Sequence, residues 1–204
     1  VIISAAGSGK TTLLVKEALS KPERRIAIVT YTLNNVDEIR KKFFELNGFI
    51  PANISIFSWF AFLLRDCVRP YQNFVYSTKR IESICFLNGR SAKYVGKDNI
   101  AAYFFNNGDR VYTDKISEFA CRCEEQSKGL VTKRLAEVYD EMYIDEVQDL
   151  AGHDLEFIEL LLSSSMYILL VGDNRQATFA TNGSAKNSRY RGMNIIDLFK
   201  KWEH

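Results

Sequence analysis

Val1-Ile2-Ile3-Ser4-Ala5-Ala6-Gly7-Ser8-Gly9-Lys10-Thr11-Thr12 opens the chain and decides its fold. An apolar run of strand type enters a glycine-rich turn, and a helical pattern from about Lys10 to Leu19 leaves it. Glycines let the backbone curl so that successive N–H groups point inward, and the start of the helix adds partial positive charge. Such a turn suits phosphate oxygens. Lys10 is placed to reach the β- and γ-phosphates of a nucleotide, and Thr11 to offer its hydroxyl to Mg²⁺. Ala6, Gly7, Ser8, Gly9, Lys10, Thr11 and Thr12 are therefore the candidate nucleotide cradle, with Ser4 standing where a glycine is usual.

Working outward, strand-like runs alternate with amphipathic helical ones. Arg25 to Tyr31 reads as a buried strand; Val36, Ile39, Phe43 and Leu46 then repeat at helical spacing until Gly48. Ile54 to Phe57 is a short strand, followed by an apolar helix from Ser58 to Cys67. Met142 to Asp145 and Tyr167 to Val171 are two more buried strands flanking a helix from about Asp154 to Leu162. This alternation predicts an α/β fold, a parallel sheet flanked by helices. The stretch 70–134 breaks the rhythm: it has turn signals at Asn88-Gly89 and Asn107-Gly108-Asp109, and aromatic residues without a clear period. It is too apolar for a linker and reads as a small inserted mixed or helical subdomain, leaving 1–69 and 135–204 as the main domain.

Composition excludes little. Hydrophobic residues are 47% and charged residues 25% of 204 positions, ordinary for a globular chain, and a net charge of +2 does not by itself argue for nucleic acid. The apolar runs are of strand length, too short to cross a membrane. Cys67, Cys85, Cys121 and Cys123 lack zinc-type spacing, and neither His153 nor His204 is close to Cys121 and Cys123 in sequence. They read as reduced, structural thiols of a cytoplasmic protein.

Two further strand ends carry chemistry. Tyr143-Ile144-Asp145-Glu146-Val147-Gln148-Asp149 puts two acids at the carboxyl edge of a buried strand, where open parallel sheets bind ligands. Asp145 is suited to hold Mg²⁺ through its water shell and Glu146 to polarise an attacking water. Leu169-Leu170-Val171-Gly172-Asp173-Asn174-Arg175-Gln176 is a third polar strand end, and Gln176 can sense a γ-phosphate there.

Together these segments resemble the N-terminal RecA-like ATP-binding domain of a superfamily 1 helicase of the UvrD/Rep type, a P-loop NTPase. The resemblance rests on Ala6-Gly7-Ser8-Gly9-Lys10-Thr11, Thr30-Tyr31-Thr32 with Glu38 and Arg40, and Ser55-Ile56-Phe57-Ser58-Trp59. It continues in Asp145-Glu146-Val147-Gln148-Asp149 and Gly172-Asp173-Asn174-Arg175-Gln176, all in family order. It implies ATP and Mg²⁺ as cofactors, Lys10, Glu146 and Gln176 as catalytic residues, and Thr11 and Asp145 on the metal. It further implies single-stranded DNA as partner, with Thr30, Tyr31, Ser55, Ser58 and Phe179 as contacts. Tyr31 and Trp59 offer rings for base stacking, although a Tyr after a buried strand and a Trp in an apolar helix are more often core. Arg189-Tyr190-Arg191 reads as a solvated basic loop.

The chain departs from the family pattern at Phe57, where a histidine is usual, and at Thr181 and Asn182, where a stacking ring and an arginine are usual. These departures leave ATP chemistry intact and favour an alternative: a non-translocating, DNA-sensing regulatory ATPase that controls a partner such as a nuclease. The resemblance also implies a second RecA-like domain beyond His204 that completes the cleft. The chain read as such a fragment is expected to bind Mg-nucleotide and to hydrolyse it very slowly alone.

Overall fold

The computed structural model describes residues 2–3, 9–87 and 89–172. Five strands form one sheet: β1 (Ile2–Ile3), β2 (Ile26–Thr30), β3 (Ile54–Ser58), β7 (Glu141–Ile144) and β8 (Tyr167–Gly172), in the order β1-β8-β7-β2-β3. Every neighbouring pair is parallel, so all five carboxyl ends lie on one edge. Val29 pairs with Ile144, Ile144 with Leu170 and Ile3 with Gly172, which sets the carboxyl ends of β1, β2, β7 and β8 in register.

The faces divide by residue parity. Ile26, Ile28, Tyr143, Leu169 and Val171 meet Leu14, Val15 and Ala18 of α1 (Lys10–Leu19) and Ile39 and Phe43 of α2 (Leu33–Asn47). Ala27, Val29, Met142, Ile144 and Leu170 face the other way. There they meet α3 (Trp59–Phe62), α5 (Ile116–Gln126), α6 (Leu130–Val138) and α7 (His153–Leu162). With helices on both sides, all five residues of β2 are buried, which is why it reads as an unbroken apolar run. α2 starts where the Thr32 hydroxyl accepts from the Asn35 N–H at 3.1 Å, and ends at Gly48, whose φ of 81° only glycine adopts without strain.

The helix expected from Ser58 to Cys67 is α-helical only through Phe62 and continues as a π-helix over Leu63–Val68. The wider turn buries Leu63, Leu64, Asp66, Cys67 and Val68 together, more than an α-helical stripe presents to one side. Asp66 is satisfied there by the Tyr139 hydroxyl at 3.2 Å and by Arg65 and Arg134.

The stretch 70–134 carries a second, three-stranded sheet, β4 (Ser83–Cys85), β6 (Arg110–Tyr112) and β5 (Phe105–Asn106) in spatial order, and the short α4 (Ile100–Phe104). Its aromatic residues, patternless in sequence, assemble in space. Tyr76 stacks on Phe105 at 4.5 Å, and Phe104 and Phe119 meet edge to face at 5.1 Å. Their cluster is continuous with the α5 side of the main sheet, so the two parts share one core. Among the described residues, no helix is long and apolar enough to cross a membrane.

Candidate nucleotide site at the carboxyl edge of the sheet

Gly9 is the N-cap of α1 with φ 80°, in the left-handed region, and nothing lies within 4 Å of where a Cβ would stand. Among the described residues no side chain caps this helix, and no acid occupies its first turn. The first intrahelical bond runs from the Leu13 N–H to the Gly9 carbonyl at 2.8 Å, so the N–H groups of Lys10, Thr11 and Thr12 precede the ladder. That is the electropositive terminus an anion uses. Ala6, Gly7 and Ser8 of the proposed cradle, and Gln176 and Phe179, lie outside the described residues.

At the end of β7 the chain turns sharply. The Asp145 N–H donates to the Val29 carbonyl at 2.8 Å, extending the sheet by one residue. Glu146 then takes φ 55°, a left-handed conformation unusual for a side chain of its size, and Val147–Asp149 form one 3₁₀ turn. The Glu146 N–H donates back to Asp145 Oδ1 at 3.0 Å. Gln148 Nε2 donates to Glu146 Oε2, fixing the carboxylate that would polarise water.

Burial dominates the electrostatics. Asp145 is 4% exposed, and desolvation, reinforced by the Glu146 charge, pushes its pKa up to about 7. The Glu146 N–H and the Lys10 ammonium oppose that rise, so the fold brings the loop lysine into the field of the strand-end acid. Asp149 is pushed up to about 6 by burial and by Glu146. Asp149 Oδ1 and Thr30 Oγ1 are both buried without a hydrogen-bond partner among the described residues. Hard oxygen donors, two carboxyls held partly protonated by their surroundings and unpartnered polar atoms fit a divalent cation of the Mg²⁺ type, which relieves the repulsion and satisfies the oxygens.

Among the other candidates, Thr30 is buried at the end of β2, and Tyr31 is half-buried with its ring edge-on to Phe60 at 5.6 Å. Ser58 caps α3, accepting from the Ala61 N–H at 3.4 Å. Ser55 and Ser58 line an open groove of about 540 Å³ together with Arg40, Phe57 and Arg65, and the Arg65 guanidinium lies 4.2 Å from the Phe57 ring centre. Trp59 belongs to the core: it is 1% exposed and its indole N–H donates to Asp154 Oδ1 at 2.9 Å.

Sequence reasoning missed two residues. In the sequence Gln148 is only part of the Asp-Glu-x-Gln-Asp pattern, whereas in the fold it is the group that orients Glu146. Gly172 ends β8 against that same turn: a Cβ there would lie 2.8 Å from both Gln148 Oε1 and Val147 Cγ2. Its signal was weak, since a glycine after a buried strand is ordinarily a turn residue. Gly172→Ala is expected to lower the urea midpoint by an amount equivalent to about 1–3 kcal/mol, because Gln148 and Val147 must give way. An unchanged midpoint would show that the close approach is dispensable.

A search of curated proteins returns no match. The model of a family described as an AAA domain matches residues 1–182. The carboxyl ends of β1, β7 and β8 on one edge of a parallel sheet that α1 and α2 flank, together with that match, identify a RecA-like P-loop ATPase fold: the chain belongs to this AAA domain family.

Proposed function

We propose that this ATPase is the ATP-binding domain of a DNA helicase of the UvrD/Rep type, with residues 70–134 as its inserted accessory subdomain. The observation that carries the reading is the Asp145–Asp149 turn, in which Gln148 holds Glu146 beside the buried Asp145. In this assignment Lys10 and the first N–H groups of α1 bind phosphate, while Thr11 and Asp145 hold Mg²⁺. Glu146 takes a proton from the attacking water. Gln176 senses the γ-phosphate, and a second RecA-like domain supplies the opposite wall of the cleft in a cytoplasmic motor.

The groove lined by Ser55, Ser58, Phe57, Arg40 and Arg65 supports single-stranded DNA as the partner. Hydroxyls and guanidiniums suit phosphates, and an aromatic face suits bases. Because the groove opens near the ends of β2 and β3, nucleotide and strand occupy one sheet edge. The test measures binding of a fluorescent oligothymidylate with and without Mg²⁺ and a non-hydrolysable ATP analogue. Oligonucleotide binding that nucleotide changes severalfold, and that Arg65→Ala weakens while nucleotide affinity holds, is the expected result. Failure to bind the oligonucleotide, or binding indifferent to nucleotide, would overturn the assignment. Thr181 and Asn182, which lie outside the described residues, favour the regulatory alternative; DNA-stimulated hydrolysis without strand separation by the full-length protein would select it.

A further inference from the structure

Beside the nucleotide edge, α5 and the first turn of α7 enclose a second cluster of chemistry, made of residues other than those at the strand ends. Cys121 and His153 are 32 residues apart in sequence, yet Cys121 Sγ lies 3.8 Å from the His153 carbonyl oxygen. Glu156 follows His153 by three residues, which places both side chains on one face of α7, and His153 Nδ1 lies 2.7 Å from Glu156 Oε2. One ligand atom from each of Cys121, His153 and Glu156 lies within 4.8 Å of the other two. We propose that Cys121, His153 and Glu156 form a binding site for a zinc ion, separate from the Mg²⁺-nucleotide site.

The donor set selects the metal. A thiolate and an imidazole favour zinc over magnesium or calcium, which prefer oxygen alone. Ligands at about 2.0–2.3 Å in tetrahedral geometry stand roughly 3.3–3.7 Å apart. The cluster therefore closes on an ion by side-chain movements of about 1 Å, with Glu156 drawing back from His153. The remaining ring nitrogen already has its outer partner: His153 Nε2 lies 3.5 Å from Glu118 Oε2. Glu118 is anchored in turn by the Tyr103 hydroxyl at 3.0 Å and by Lys97 at 2.6 Å. A carboxylate behind a metal-binding histidine fixes the ring orientation and strengthens it as a ligand.

The surroundings admit a cation. The cluster opens on a cavity of about 570 Å³ whose charged lining is Glu118, Glu124, Glu125 and Glu156 against Lys97 and Arg122, four acids to two bases. The open side leaves room for water as the fourth ligand. A bound ion would tie α5 to the start of α7, three residues after the turn that ends at Leu150.

The test strips the purified 204-residue chain with a chelator and titrates it with Co²⁺, then Zn²⁺. One equivalent of Co²⁺ giving a thiolate-to-metal charge-transfer band, displaced by Zn²⁺ but not by Mg²⁺, is expected. Cys121→Ser abolishes the band, His153→Gln and Glu156→Gln weaken binding at least tenfold, and Cys123→Ser leaves it intact. Zn²⁺ raises the melting temperature of the unaltered chain but not of Cys121→Ser, whose metal-free melting serves as the check on folding. Absence of the band, competition by Mg²⁺, or a band that survives Cys121→Ser overturns the proposal.

Discussion

Asp145→Asn is expected to stabilise the metal-free protein above pH 7 while abolishing the contribution of Mg²⁺ to nucleotide binding. The folded pKa of Asp145, about 7, stands above its ordinary value of 3.8. In the unfolded chain the carboxyl ionises near 3.8, whereas in the fold it keeps its proton until about pH 7. Between those values the native state holds the extra proton, so stability falls as pH rises, by up to about 1.4 kcal/mol per unit. Above pH 7 the loss levels off on the order of 4 kcal/mol. Asparagine removes that loss and still accepts the Glu146 N–H through its Oδ1. Urea midpoints from pH 5 to 8 measure this: a shallower slope and a higher midpoint at pH 8 are expected for the variant. A slope equal to that of the unaltered protein would refute the assignment of the buried charge. Mg²⁺ requires the ionised form, so Mg-nucleotide affinity in the unaltered protein should rise about tenfold per unit below pH 7 and flatten above it.

Glu146→Gln is expected to slow single-turnover ATP hydrolysis by about 10² to 10⁴ while leaving Mg-nucleotide affinity within a few-fold, the scale a positioned general base contributes. The left-handed turn at φ 55° aims residue 146 independently of its charge, so the backbone stays in place. A second readout separates lost chemistry from lost structure. The Glu146 charge raises both Asp145 and Asp149, so its removal lowers both. The pH midpoint of Mg-nucleotide binding should therefore move down in the variant. Undiminished hydrolysis, or an unmoved midpoint, would remove Glu146 from the site.

The main sheet was legible because its strands are buried on both faces and therefore spell themselves as apolar runs such as Ile26-Ala27-Ile28-Val29. The helix bounds at Lys10 and Gly48 followed from a glycine on each outer side. What escaped depends on contacts between distant segments. The π-helix over Leu63–Val68 is written in no local period, and the partners of its Asp66, Tyr139 and Arg134, lie about 70 residues on. The close approach of Gly172 to Gln148 exists only once β7 and β8 pair. Cys121 has no metal-type spacing because its partners lie on another helix. The apolar helix around Trp59 favours core over base stacking, and the residue is core, its indole held by a single buried carboxylate.

That carboxylate has a wider consequence. Asp154 accepts from the Trp59 indole, the Ser117 hydroxyl and, at 3.3 Å, the Ala151 N–H. Ser117 opens α5, Trp59 follows β3 and Ala151 follows the Asp145–Asp149 turn, so three segments distant in sequence are satisfied at one point. A chain in which the sheet has formed but α5 has not leaves a buried acid short of partners, and burying an under-satisfied polar group is costly. Partly folded species of that kind are thereby disfavoured. The Asp145–Asp149 turn and the stretch around α5 become a single cooperative unit, gained or lost together rather than one after the other.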